Sequence, residues 1–251
     1  MGGPPRKLEK HEKQITGLAF SPDGKTLASV SMDSRLCIWD MTTGRVRHSI
    51  FRAHRDKKYG AKEEVYAVAF SPDGKQLATA GADNLVRLWD PAMGKEIRQM
   101  EGHQDKVAAV AFSPDGKVLA SGSYDGTVRL WNPATGQEIR QLKGHEGRVT
   151  AVAFSPDGKT LATGGSAINQ VFNVPAGQAD QVRLWDVSNG RELRKCQGRG
   201  TVVAFSPDGK TVAAGGLVLK QAKALPLARV GSDAWLVRIP DGPALRREQM
   251  C

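Results

Sequence analysis

Cysteine is scarce in this chain: three among 251 residues, at Cys37, Cys196 and Cys251. No two have the spacing of a zinc knuckle or a redox pair, so a disulfide framework, a metal site and CxxC chemistry all drop out. Reduced thiols and a cytoplasmic setting are the expectation, with no cofactor. Aromatic residues make up only 6% and are not interleaved with basic ones as a nucleic-acid groove requires, so nucleic acid is an unfavoured partner. No apolar run approaches the ~18 residues of a membrane helix. The opening stretch "MGGPPRKLEKHEKQ" lacks the apolar core of a signal peptide, so neither secretion nor membrane insertion is expected. A glycine-rich phosphate loop and a nucleophile-elbow motif are missing too. Acidic residues are in deficit: 26 Asp and Glu against 36 Lys and Arg give a net charge of +10. Such an excess favours an acidic partner where the charge is gathered in one place.

What the chain has in abundance is repetition. The heptapeptide "AFSPDGK" occurs at 19–25, 69–75, 111–117, 153–159 and 204–210, with starts 50, 42, 42 and 51 residues apart. Ser-Pro-Asp-Gly reads as a type I turn ending in a left-handed glycine: proline presets φ, aspartate bonds nearby backbone, and glycine takes φ > 0 without strain. Apolar runs flank it, as in "VAAVAF" before Ser113 and "VLASGS" from Val118, so each copy marks a β-hairpin. A period of ~40–45 residues matches one four-stranded propeller blade. From Gly102, one unit supplies "KVAAVAF", "VLASGS", "TVRLW" and "QEIRQL" as four strands. The first is apolar on both faces, as a strand held between neighbouring blades must be. One unit cannot bury both faces alone, so the units must stack.

Further positions recur in register. Gly102-His103 and Gly144-His145 have His11 and His54 at the matching points of earlier units. An aspartate precedes the third strand at Asp33, Asp83 and Asp125, and that strand ends in Trp39-Asp40, Trp89-Asp90, Trp131-Asn132 and Trp185-Asp186. On these residues the chain resembles the WD-repeat β-propeller family, in the bacterial-type form with near-identical SPDGK repeats, over roughly residues 6–250. The resemblance implies an all-β fold: one propeller domain over residues 1–251, with five four-stranded antiparallel blades at roughly 12–50, 62–100, 104–142, 146–195 and 199–250. It also implies one hydrogen-bonded set per blade, tying the loop before strand one to strands two and three. By position the sets are His11, Ser29, Asp33, Trp39; His54, Thr79, Asp83, Trp89; His103, Ser121, Asp125, Trp131; and His145, Thr163, Trp185.

Ser, His and Asp together are also the make-up of an acyl-transfer site. A nucleophile would occur once, at a special turn. These residues recur in several blades and exchange Ser for Thr, so they read as structural ties, and the chain as no enzyme. Only His48 among the five histidines stands outside the sets. Two blades depart from the pattern. In the fourth, Asp180 lies five residues before Trp185, whereas its counterparts lie six before theirs. In the fifth, the histidine position falls at Gly198-Arg199 and the hydroxyl position is Ala214. Aligning "VRIPDG" at 237–242 with "VRLWDP" at 86–91 puts Pro240 at the tryptophan position, Trp235 outside the motif, and "PALRREQM" at 243–250 in the fourth strand. The fifth blade is therefore degenerate and is expected to fray first.

Seven blades are usual in the family, so five make either a closed ring or an incomplete, open one, and the chain is a whole propeller or part of a longer array. "RKLEKH" at 6–11 aligns with "RQLKGH" at 140–145, so two segments compete to be the last fourth strand. An edge left unpaired would invite self-association.

Five lysines of the repeated turn (Lys25, Lys75, Lys117, Lys159, Lys210) line one rim, and Arg87, Arg129, Arg183, Arg98, Arg140 and Arg194 recur on strands three and four. Their spacing reads as duplicated, solvated charge. Three insertions break the repeat: seven extra residues within 55–64, twelve within 166–180 and sixteen within 217–235. All open on the side opposite the lysines, and such loops often mark a binding face. Candidate partner-binding residues there are Met32, Arg55, Lys57, Lys58, Tyr59, Lys106, Tyr124, Arg148, Phe172, Lys220 and Lys223. Family resemblance implies a non-enzymatic scaffold that binds a protein or peptide, with an acidic one favoured by charge. The alternatives are a ligand- or sugar-binding propeller, which needs exposed aromatics repeated at blade junctions, and a truncated part of a longer WD-repeat array.

Overall fold

The repeated Ser-Pro-Asp-Gly turn folds the same way five times. In the first copy Gly24 N–H donates to Ser21 O at 2.9 Å, closing the turn, and Gly24 takes φ 68°. Ser21 Oγ donates to Asp23 Oδ1 at 2.6 Å and accepts from Thr26 N at 2.9 Å, while Lys25 N donates to Asp23 Oδ1 at 3.0 Å. The hydroxyl and backbone N–H bonds hold the Asp23 carboxyl below the ordinary carboxylate range, as they do in its four counterparts.

The computed structural model describes residues 7–54, 64–166, 181–197, 200–215, 228–230 and 234–238, and among these there are strands and turns but no helix. The strands are β1 Ile15–Phe20, β2 Thr26–Ser31, β3 Arg35–Asp40 and β4 Arg45–Phe51; β5 Val65–Phe70, β6 Leu77–Gly81, β7 Val86–Asp90 and β8 Lys95–Met100; β9 Val107–Phe112, β10 Leu119–Ser123, β11 Thr127–Trp131 and β12 Glu138–Lys143; β13 Arg148–Phe154, β14 Thr160–Ser166, β15 Gln181–Asp186 and β16 Glu192–Gln197; then β17 Val202–Phe205, β18 Thr211–Gly215, β19 Ala228–Val230 and β20 Ala234–Arg238. The first four groups are four-stranded sheets in sequence order, and the last runs β17-β18-β20-β19. Pairing is antiparallel, and the third–fourth strand ladder shifts register immediately before each of Trp39, Trp89, Trp131 and Trp185.

The chain divides into two compact units, residues 1–112 and 113–251. In the first, β1 lies beside β5 and β5 beside β9; in the second, β10 lies beside β13 and β13 beside β17. Where two blades pack, side chains of the later blade's first strand face the preceding blade's second and third strands. Val68 and Phe70 of the second blade meet Ala28, Val30, Leu36 and Ile38 of the first. Val152 and Phe154 of the fourth meet Ala120, Val128 and Leu130 of the third, and Val203 and Phe205 of the fifth meet Ala162, Val182 and Leu184 of the fourth. Large residues enter a wall of small and branched ones, the same junction three times. Further out, His48 Nε2 lies 2.8 Å from Ala92 O, and Arg140 donates to Ser188 O at 3.3 Å, each reaching the next blade's outer turn.

The fifth blade corrects the sequence alignment. Register Val212↔Val237 and Ala214↔Trp235, set beside Leu161↔Trp185 and Thr163↔Arg183, places Val237, not Pro240, at the tryptophan position. A proline inside a strand bonded on both sides would remove a ladder bond; β20 ends at Arg238, ahead of Pro240. The outer strand is β19, from within the 217–235 insertion, so that segment is not simply a loop. The expected fourth strand at 243–250 lies outside the described residues.

Candidate functional site

The recurring polar side chains converge inside the blades. In the second blade Trp89 Nε1–H donates to Thr79 Oγ1 at 2.8 Å, and Thr79 Oγ1 lies 2.7 Å from His54 Nε2. His54 Nδ1 lies 2.7 Å from Asp83 Oδ1. Asp83 also accepts from Arg87 at 2.7 Å, and Arg87 reaches Glu96 at 2.9 Å. His54 and Thr79 are fully buried. Burial holds His54 neutral against the pull of Asp83. Burial alone would raise the Asp83 carboxyl, but His54 and Arg87 bring it below its ordinary value. The protons therefore run one way: indole N–H to hydroxyl, hydroxyl to imidazole Nε2, Nδ1–H to carboxylate.

The first blade repeats this chain. Trp39 Nε1 donates to Ser29 Oγ at 2.8 Å, His11 Nε2 lies 2.7 Å from Ser29 Oγ, and His11 Nδ1 lies 3.0 Å from Asp33 Oδ2. Burial would raise Asp33, but the backbone N–H groups of Glu12 and Arg35 and the His11 ring keep it lowered. In the third blade Trp131 donates to Ser121 Oγ at 2.8 Å, Asp125 accepts from Thr127 N at 2.8 Å, and His103 is buried. In the fourth, Trp185 donates to Thr163 at 2.8 Å, and His145 Nε2 lies 2.7 Å from the same hydroxyl. Asp180 lies outside the described residues, and among these His145 has no carboxylate partner. Burial, then Arg183 and Lys195, push its pKa down to about 3. Ala214 leaves the fifth blade without a hydroxyl at this position.

Chemically these sets are closed. Each hydroxyl sits between an indole donor and, in three blades, an imidazole acceptor, and Ser29, Thr79, Ser121 and Thr163 are all buried. No substrate carbonyl can approach them. The aspartate after the tryptophan serves the outer turn instead. Asp40 Oδ1 accepts from Thr42 N at 2.9 Å and Thr43 N at 3.0 Å, capping that turn. The backbone N–H of Thr43 and the Arg47 guanidinium pull its carboxyl down to about 2. Among the described residues no group of three His, Cys, Asp or Glu side chains is placed to hold a metal.

Strand-three arginines are not solvated, contrary to expectation. Arg87 and Arg183 are buried, and Arg87, Arg129 and Arg183 each pair with a strand-four glutamate: Glu96, Glu138 and Glu192. Burying a guanidinium without a partner costs several kcal/mol, so the glutamate is needed. The signal was present as "EIR" at 96–98 and 138–140 and "ELR" at 192–194. This share of the positive charge is neutralised internally. The five turn lysines remain exposed.

At the opposite end of each sheet stand the described members of the candidate binding set. Pairing of Val65 with Gly81 and of Arg148 with Ser166 puts the start of strand one and the end of strand two together, away from the turn. There Lys106 Nζ donates to Tyr66 OH at 2.9 Å and lies 3.8 Å from Glu64. Neither Tyr66 nor Glu64 stands out in the sequence, because neither recurs from blade to blade. Arg148 stacks over the Tyr124 ring at 4.5 Å. Lys106, Tyr124, Arg148 and Met32 are all half-buried. Arg55, Lys57, Lys58, Tyr59, Phe172, Lys220 and Lys223 lie outside the described residues.

Compared with known families, residues 2–40 match the family model described as WD domain, G-beta repeat. Residues 64–181 match the one described as IFT122 first beta-propeller. Among curated proteins, none matches the chain.

Proposed function

Because the chain belongs to the WD-repeat β-propeller family, whose propellers typically mediate protein–protein interaction and are generally non-enzymatic scaffolds, we propose that it binds a protein or peptide partner through the loop end opposite the lysine-bearing turns. One observation carries this: the polar residues inside the blades have their hydrogen bonds committed to one another, whereas each unit presents at the loop end of its sheets a half-buried aromatic–cation pair, Tyr66–Lys106 in the first and Tyr124–Arg148 in the second. Aromatic rings and guanidinium groups are the side chains on which interface energy concentrates. A cation already held over a ring is pre-ordered, so less entropy is lost when a carboxylate or backbone carbonyl docks on it. An acidic peptide suits these cations. The junction tryptophans face inward, which weakens the sugar-binding alternative.

The test is capture of partners by the whole chain, by Tyr124→Ala/Arg148→Ala, and by Lys117→Ala/Lys159→Ala at the other end. Loss of bound proteins with the first pair alone supports the reading. Unchanged capture with the first pair, or loss with the second alone, overturns it.

A further inference from the structure

The first and fifth blades each leave half of a blade junction uncovered. In the inner blades, the strand-one residues turned toward the preceding blade are covered: Val107 is 0% exposed and Val110 9%. Their counterparts in β1, Ile15 and Leu18, are 46% and 62% exposed, and Phe20, the counterpart of half-buried Phe112, is 60% exposed. Leu8 and Met41 cover Leu27, Cys37 and Trp39 deeper on the same face, but the β1 strip stays open. At the other end, Ala151 of the fourth blade is 8% exposed beneath the fifth, whereas its counterpart Val202 is 65% exposed and Ala204 is exposed as well.

The two strips have opposite shapes. The β1 strip carries the protruding residues (Leu18 and Phe20 where Val203 and Phe205 stand in the fifth blade), and the β17–β18 strip carries the receiving wall of Val202, Ala204 and Ala213. Three apolar junctions among the described residues each join one strip of each kind. We propose that the chain associates head to tail with a second copy of itself, the β1 strip of one copy seating on the β17–β18 strip of the other, continuing the internal junction across the molecular boundary. Such a contact uses two different surfaces, so it gives closed rings or extending arrays rather than a two-fold pair. The proposal is independent of the loop-end binding reading, because neither strip includes Tyr66, Lys106, Tyr124 or Arg148.

Sedimentation of the full chain over a wide concentration range tests it, with Phe20→Asp and Val202→Asp as variants. Both positions are exposed, so folding survives, which circular dichroism verifies. The wild type is expected to associate as concentration rises. Each variant alone should weaken association by about a hundredfold or more, as burying an unpaired charge at an interface centre does. Mixed, the two variants should form a one-to-one pair that grows no further, because one copy keeps an intact β17–β18 strip and the other an intact β1 strip. A wild type that stays a single chain throughout overturns the proposal, as does a Val202→Asp variant that associates like wild type.

Discussion

Replacing Thr79 with valine isolates what the buried polar chain contributes to the second blade. Valine keeps the shape of threonine, so no cavity opens; only the hydroxyl is lost. Two groups are orphaned: the Trp89 Nε1–H, which donates to it at 2.8 Å, and His54 Nε2, 2.7 Å away. Both are buried, Trp89 at 4% exposure and His54 at 0%. Each unsatisfied group costs about 1–3 kcal/mol, so the substitution should cost about 2–6 kcal/mol in all. Urea unfolding followed by circular dichroism reads this directly. The discriminating step is to repeat the substitution in a Trp89→Phe background. There the indole donor is already gone, only the imidazole is orphaned, and the cost should fall to about 1–3 kcal/mol. A cost below about 0.5 kcal/mol, or one that is equal in the two backgrounds, would refute the reasoning.

Two further outcomes follow from the second unit. His145 has an ordinary value of 6.5 and about 3 in the folded chain, so between these values the unfolded chain binds the extra proton, and stability falls as pH drops through that window. The loss attributable to His145 should be about 2 kcal/mol between pH 6.5 and 5, and a His145→Gln variant should show a correspondingly flatter pH dependence in thermal melts. Gly164→Ala should be harmful for a steric reason: an added Cβ would lie 1.7 Å from the Gly200 carbonyl oxygen. Backbone cannot step aside as a flexible side chain can, and a cost of about 1–3 kcal/mol or more is expected, read as a drop in melting temperature.

Much of the fold was legible because its signals are local. Ser-Pro-Asp-Gly specifies its turn through the residues of the turn itself, and the Trp-Asp pair announces a strand end because its aspartate caps the next four residues. The blade sets came from the family resemblance, carried over by position relative to those two marks. The fifth blade keeps its Ser-Pro-Asp-Gly turn and was misread where the Trp-Asp mark fails. Its second strand "TVAAG" has Ala214 at the hydroxyl position and its third no tryptophan in register, so "VRIPDG" offered a false anchor, and only pairing across the sheet moves the third strand three residues along. Ion pairing between Arg87 and Glu96 left only the recurring glutamate of "EIR" as its trace, since it depends on two strands folding back so that a buried guanidinium meets a carboxylate. The open strips on β1 and β17 are not sequence features at all. Leu18 and Phe20 look like every other core residue until the folded chain shows them exposed.

Native-state hydrogen exchange, followed amide by amide, tests the central claim that buried polar ties and covered faces decide how firmly each blade holds. The second blade has the full chain from Trp89 to Asp83 and lies beside both the first blade and β9; the fifth has Ala214 at its hydroxyl position and an open strand at Val202. Amides of Val65–Gly81 should exchange much more slowly than those of Val202–Gly215. Equal protection in the two segments, or stronger protection in the fifth blade, would contradict the account.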